Sequence, residues 1–213
     1  MDKNAKWVVE KRIDRTIEAL KKNNMNGYHA RRKEDVVGII RNLINKGDTV
    51  SVGGSVSLAE CGVVEFLRNG DYNFLDRYKE GLTPAHIKDI YRKSFCADGY
   101  FTSTNAITEE GYLYNVDGRG NRVAAMIYGP DKVIVVAGVN KIVKDVKEAI
   151  GRNERIAAPA NTKRLDRKTP CKELGYCVEC SSPERICSDY VLIKKQMDKD
   201  RIHVILVEES LGY

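Results

Sequence analysis

The run KVIVVAG, residues 132–138, is apolar after its first residue and shows no polar alternation. A strand with one wet face alternates, so an unbroken run predicts a central strand covered by protein on both faces. Its surroundings repeat a strand–helix rhythm. DTVSVGG, 48–54, reads as a short strand that turns at Gly53-Gly54-Ser55 into a helix carrying Leu58, Val63 and Leu67. Further strands are expected at 99–102, at 112–116 and in IHVILVEE from residue 202. Helices are expected to open at Thr83-Pro84 and to span about 142–151. Alternating strands and helices predict an α/β fold, a mostly parallel sheet with helices on both faces. Upstream, Val9, Ile13, Ile17 and Leu20 recur at helical spacing, and Asn23, Asn24, Asn26 and Gly27 supply stop signals. A second helix is expected over 33–45, with Val36, Val37, Ile40, Leu43 and Ile44 on its apolar face and Gly47 at its end. Residues 1–46 thus read as a helical N-terminal extension packed on the core, and 47–213 as the α/β domain.

Composition bounds what this domain does. At 213 residues and 24.0 kDa the chain holds one well-cored domain and not two large ones. A hydrophobic share of 42% and a charged share of 31% are those of a soluble protein. No apolar run approaches the roughly 20 residues a membrane helix needs. The N-terminus, MDKNAKWVVEKRIDRTIEAL, mixes both charge signs and has no secretory pattern, so a cytoplasmic location is expected, where structural disulfides are disfavoured. The net charge of +6 comes from 36 basic and 30 acidic residues spread along the chain, which reads as a solvated surface and not a nucleic-acid site. The sequence is silent on oligomeric state.

The densest chemistry lies in TPCKELGYCVECSSPERICSDY, 169–190. Cys171, Cys177, Cys180 and Cys187 follow the spacing C-x5-C-x2-C-x6-C. Two residues between the central pair let both sulfurs converge on one metal or cluster edge, and thiolates so close need more positive compensation than Lys172 and Arg185 supply. A 4Fe-4S cluster is the expected occupant, because zinc ribbons pair two C-x2-C knuckles and this loop has one; zinc is the alternative. Cys61 and Cys96 read as small core residues. The segment reads as an insertion before the last strand.

A second constellation occupies the turns after the strands, where open parallel sheets bind ligands. Gly53 and Gly54 allow close backbone approach, Ser55 and Ser57 offer hydroxyls, and the following helix start favours an anion. TSTNAITEEG, 102–111, contributes Thr102, Ser103 and Asn105; NVDGRGNR, 115–122, contributes Asp117, Asn121 and Arg122. Asn140, Lys141 and Asn161 complete a polar rim suited to a small anionic metabolite. Glu60 and Asp117 are the candidate catalytic acid–base residues, with Glu109 and Glu110 as further carboxylates; each reads equally as a helix or turn carboxylate. The three histidines share no motif. YNFLDRYKEG, 72–81, reads as a packed connection.

Taken in order, GGSVSLAECG, DGYFTSTNAITEEG, NVDGRGNRVAAMIYGPDKVIVVAGVNKI, APANTKRL and CVECSSPERIC resemble the lactate-utilisation (LUD) domain family in its short stand-alone form. The resemblance spans about residue 5 to the C-terminus. It implies a fold like that of ribose-5-phosphate isomerase, CoA transferases and 5-formyltetrahydrofolate cyclo-ligase, a pocket formed by the rim loops, and a role in oxidising lactate to pyruvate beside iron–sulfur partner proteins. The chain lacks the paired ferredoxin-type cysteine runs of the larger subunits, so its one loop holds at most one cluster. Two functions stay open: a redox component carrying that cluster, or a non-redox isomerase or transferase with a structural zinc site and Glu110 as a candidate nucleophile.

Overall fold

The structure, a computed structural model, describes residues 2–213. Helix α1 (Lys3–Lys22) and strand β1 (Asn26–Ala30) are followed by a 3-10 turn at Lys33–Asp35 and helix α2 (Val36–Ile40). Strand β2 (Thr49–Val52) leads into α3 (Val56–Glu60) and α4 (Val63–Asn69), then β3 (Asn73–Leu75), α5 (Pro84–Lys93) and β4 (Gly99–Thr102). Next come β5 (Ala106–Thr108), β6 (Leu113–Asp117), α6 (Asn121–Ile127), β7 (Lys132–Gly138) and β8 (Ile142–Val143). Helix α7 (Val146–Arg152) passes through a π-helical turn, Asn153–Ala157, into α8 (Ala158–Arg164). Helix α9 (Pro170–Leu174), β9 (Asp189–Ile193) and β10 (Ile202–Val207) complete the chain.

The main sheet is six-stranded and wholly parallel, in the order β1-β10-β7-β4-β2-β3. Successive β7 side chains serve opposite faces. Val133, Val135 and Ala137 pack with Ile13 and Leu20 of α1 and Met126 of α6, while Ile134 and Val136 pack with Val36, Ile40, Leu58 and Leu67 on the other side. Helices cover both faces, the condition under which a strand dispenses with alternation. A smaller sheet, β8-β5-β6-β9, lies on the α1 side through Ile107 and Leu113.

Several elements depart from the sequence expectation. Residues 26–30, inside the segment read as helical, pair with β10 as an edge strand, and the Tyr28 hydroxyl sits 2.9 Å from His203 Nδ1. The helix expected over 33–45 ends at Ile40. The helix after Gly54 is broken in two at Gly62, whose φ of +67° is a left-handed conformation that glycine adopts without strain. Residues 189–193 of the cysteine segment form an edge strand on β6. Cys96, read as a core residue, is exposed, whereas Cys61 is buried. Among the described residues no helix is long and apolar enough to cross a membrane.

After β10 the chain folds across the carboxyl ends of the strands. Leu211 N–H donates to Asn140 Oδ1 (3.0 Å) and Gly212 N–H to Glu60 Oε2 (2.8 Å). A Cβ at Gly138 would lie 2.4 Å from Leu211 N, so only glycine permits this crossing.

Candidate functional site

From β2 the chain moves to β3 on one side and then to β4 on the other. The strand order therefore reverses between β2 and β4, and ligands of open parallel sheets bind where such a reversal opens a crevice at the carboxyl ends. Gly53 and Gly54 follow β2, and Ser103 follows β4. Gly53 N–H donates to Phe101 O across the junction at 2.8 Å. A Cβ on Gly53 would meet the Tyr100 hydroxyl at 2.9 Å and Thr102 Oγ1 at 3.1 Å, so the glycine is required by close packing. The α3 start is already served: Ser55 Oγ accepts from Leu58 N–H at 3.1 Å.

Arg122 is the hub of the rim. Its Nε donates to Asp117 Oδ1 (2.9 Å), its Nη1 to Ser103 O (2.8 Å) and Asn115 Oδ1 (2.7 Å), and its Nη2 to Asn105 Oδ1 (2.9 Å). Asp117 Oδ2 accepts the backbone N–H groups of Arg122 (3.1 Å) and Val123 (3.0 Å), closing the first turn of α6. Both members are largely buried, and both turn their polar atoms on protein partners. Asp117 and Arg122, expected as acid–base and ligand residues, therefore fix the loops 102–105 and 115–122 relative to each other.

Lys141 is 3% exposed, and its Nζ donates to Ser103 Oγ at 3.0 Å. Ser103 Oγ in turn stands 3.5 Å from the Ser57 hydroxyl, which donates to Leu211 O. Burial, then the neighbouring Arg152 and Arg122, push the Lys141 amine down to about 7. Arg152 is also buried, donating to Asn140 O (2.9 Å) and Asn105 O (2.6 Å). Three cationic side chains thus share a largely dry region with one buried carboxylate, Asp117.

The other expected rim residues divide. Thr102 is buried, with its hydroxyl on Ser103 O. Asn105 serves the hub and approaches Asn153. Asn140 and Glu60 hold the chain terminus, Asn121 opens α6, and Asn161 lies on α8 accepting from Arg164. The Glu109–Gly111 turn docks on α1: Arg12 Nε donates to Glu109 Oε1 at 2.7 Å, and Asn23 Nδ2 to Glu110 O at 2.8 Å.

The second centre is built from the cysteine segment. Cys171, Cys177, Cys180 and Cys187 line one small cavity with Thr162, Thr169 and Arg185. Cys171 and Cys187 are buried, and all four are free thiols. The central knuckle bends at Glu179, a non-glycine residue with φ of +49°, so that Glu179 N–H donates to Cys177 Sγ at 3.4 Å. Strain of this kind persists only where the surroundings hold it. Thr162 and Thr169 hydroxyls each lie 3.4 Å from Cys171 Sγ. Arg185 clamps the loop through Cys187 O and Cys180 O, both at 2.7 Å. Burial and the neighbouring Cys177 push the Cys187 thiol up to about 11, against the opposing pull of Arg185. That thiol holds its proton until a cation compensates it.

That donor set fits a thiolate-ligated inorganic centre in kind. Among the described residues no three or more His, Cys, Asp or Glu side chains are drawn together to hold a metal ion. A zinc ion with sulfurs at about 2.3 Å would require such a set. A 4Fe-4S cluster would draw on the same four thiolates.

The two centres touch. Ser188 N–H, next to Cys187, donates to Asp117 O at 2.9 Å, and Cys177 N–H donates to Glu154 O at 2.9 Å inside the π-helical turn that carries Asn153. Sequence reasoning missed Arg77, which follows β3 and stands beside Gly54. Its signal was a lone arginine between aromatic residues at irregular spacing.

Comparison with known proteins agrees with this architecture. A DUF162 family protein from Deinococcus radiodurans, known from a crystal structure, is 15% identical, with a TM-score of 0.51 over 95% of this chain and 98% of that one. A likeness at that identity speaks for the fold alone. The β subunit of eIF2B from Chaetomium thermophilum is 14% identical over 57% of this chain and 42% of its own, with a TM-score of 0.39. No curated protein matches the chain. The family model described as the LUD domain matches residues 13–207, nearly the whole α/β body, and the chain belongs to the LUD domain family.

Proposed function

We propose that this protein is a redox component of organic-acid metabolism, acting on lactate or a related small 2-hydroxy or 2-oxo acid. It binds the acid at the β2/β4 rim and a 4Fe-4S cluster through Cys171, Cys177, Cys180 and Cys187. The observation that carries the reading is the convergence of four thiols on one cavity that is hydrogen-bonded, through Ser188 and Asp117, to the rim. Family membership supports a role connected with lactate utilisation. Bound there, a cluster supplies one-electron transfer.

The residues of the chain account for the rest. Lys141, with its amine pushed down to about 7, takes a proton from a substrate hydroxyl at Nζ, and Ser103 orients that amine. Arg122 and Asp117 hold the loops around it. Oxidation of a 2-hydroxy acid to the 2-oxo acid breaks the O–H and Cα–H bonds and releases two electrons and two protons; the hydroxyl proton goes to Lys141 and the Cα proton to solvent, and the two electrons pass singly to a partner protein that accepts both. Leu174, Tyr176 and Val178 stand exposed beside the cavity, and Lys163 and Lys168 lie on neighbouring turns, which suits a small acidic carrier. The reading places the protein in the reducing cytoplasm, with no nucleic acid or membrane as partner.

The test is reduction and reoxidation of the anaerobically purified protein, followed by electron paramagnetic resonance. A signal that appears on chemical reduction and is absent from the Cys177→Ser variant supports the redox reading. A colourless protein carrying one tightly bound zinc, with no reducible signal, replaces it with a structural clamp and a non-redox pocket.

A further inference from the structure

Arg77 is a partly buried cation with no counter-charge. Among the described residues no carboxylate lies within ion-pair distance of it and its guanidinium donates no hydrogen bond. The neighbouring Asp76 is engaged elsewhere, accepting from Arg68 Nε at 2.7 Å and from Tyr78 N–H at 2.8 Å. The guanidinium carbon stands over the Tyr78 ring, 5.3 Å from its centre, and over the Tyr91 ring of α5, 5.0 Å from its centre. Such stacking fixes the plane of the group and leaves its N–H edge free.

That edge borders the strand-order reversal. A Cβ built on Gly54 would come 3.3 Å from Arg77 Nη1, and Tyr78 donates its hydroxyl to Gly53 O at 3.4 Å. Gly54 is exposed, and the Tyr100 hydroxyl lies beside Gly53. Arg77 thus stands beside a turn, Gly53-Gly54, that carries no side chains of its own.

We propose that Arg77 reads the carboxylate of the small acid bound at this rim, its planar fork taking both carboxylate oxygens. The inference rests on the small-acid reading of the rim and assigns the carboxylate role that Arg122 cannot fill, because Arg122 is already bonded within the protein. A carboxylate suits the site better than a phosphate. One guanidinium matches one negative charge, a planar fork matches a planar anion, and the α3 start that would otherwise assist a phosphate is capped by Ser55.

The test titrates the full-length protein with pyruvate, with pyruvamide as the analogue lacking the carboxylate, and with inorganic phosphate. Wild type is expected to bind pyruvate more tightly than either comparator. Arg77→Gln weakens pyruvate by at least about tenfold, the loss of a bond to a charged group, and leaves pyruvamide unchanged. Arg77→Lys, which keeps the charge without the fork, falls between. Circular dichroism and metal content matching wild type show that each variant is folded and that its cysteine centre is intact. Equal pyruvate affinity in wild type and Arg77→Gln overturns the proposal, as does a wild-type preference for phosphate or pyruvamide, or no pyruvate binding at all. Failure of the redox reading shows separately, as absence of a reducible centre with pyruvate binding retained.

Discussion

Replacing Lys141 with methionine makes stability lose a dependence on pH that wild type has. The amine falls from an ordinary 10.5 to about 7, chiefly through burial. At about 1.36 kcal/mol for each tenfold change in proton affinity, this is a differential of about 5 kcal/mol between the charged and neutral forms. The sign follows from which state holds the proton. Below about pH 7 both states are protonated and the folded chain carries the full penalty of a buried charge. Between about 7 and 10.5 the unfolded chain keeps a proton that the folded chain has released, so stability rises with pH; above that window the penalty is gone. Between about pH 7 and 9 wild type should gain about 2 kcal/mol relative to Lys141→Met, a relative rise of about 4–8 °C in melting temperature for a domain of this size. Urea denaturation of both proteins at the two pH values measures it, and titrations common to both cancel in the difference. A wild-type-minus-variant difference that is the same at both values refutes a lysine held in a dry, cation-rich site.

Asp117→Ala should cost about 3–5 kcal/mol in urea denaturation, because it strands the buried Arg122 guanidinium and two backbone N–H groups of α6; a loss under about 1 kcal/mol would show that the hub is not a buried pair. Gly138→Ala should lose about 1–3 kcal/mol and release residues 209–213 to proteolysis, since the new Cβ would lie 2.4–2.6 Å from Leu211 N, Glu209 O and Asn140 Oδ1. Arg185→Ala, which unclamps Cys180 O and Cys187 O, should lower metal affinity about 10–100-fold in a chelator competition while leaving the rest of the fold intact.

How much of this was readable in advance depended on burial. Strands β7 and β10 announce themselves because both faces are covered and, apart from Lys132 and His203, every residue is apolar or glycine. Strand β1, NGYHA, hid behind Asn-Gly turn chemistry: as an edge strand it is held by backbone pairing to β10, and composition carries little of its identity. Strand β9 was hidden for the same reason, with Tyr190 and Leu192 exposed. The four cysteines were legible as a group because their spacing is local in sequence, and they line one cavity. The rim was legible as a list of residues and not as a division of labour. Nothing in the sequence distinguishes Arg122, whose donors are occupied, from Arg77, whose donors are free, because that difference is made by partners distant in sequence, Ser103 and Asn105 for Arg122 and Tyr91 for Arg77.

The central claim is that the sulfurs of Cys171, Cys177, Cys180 and Cys187 enclose one inorganic centre. Iron and acid-labile sulfide analysis of the anaerobically purified protein tests it most directly. One cluster's worth of both per chain is predicted, abolished in Cys177→Ser. A metal-free protein with four freely titrating thiols, or with these cysteines joined as disulfides, would contradict it.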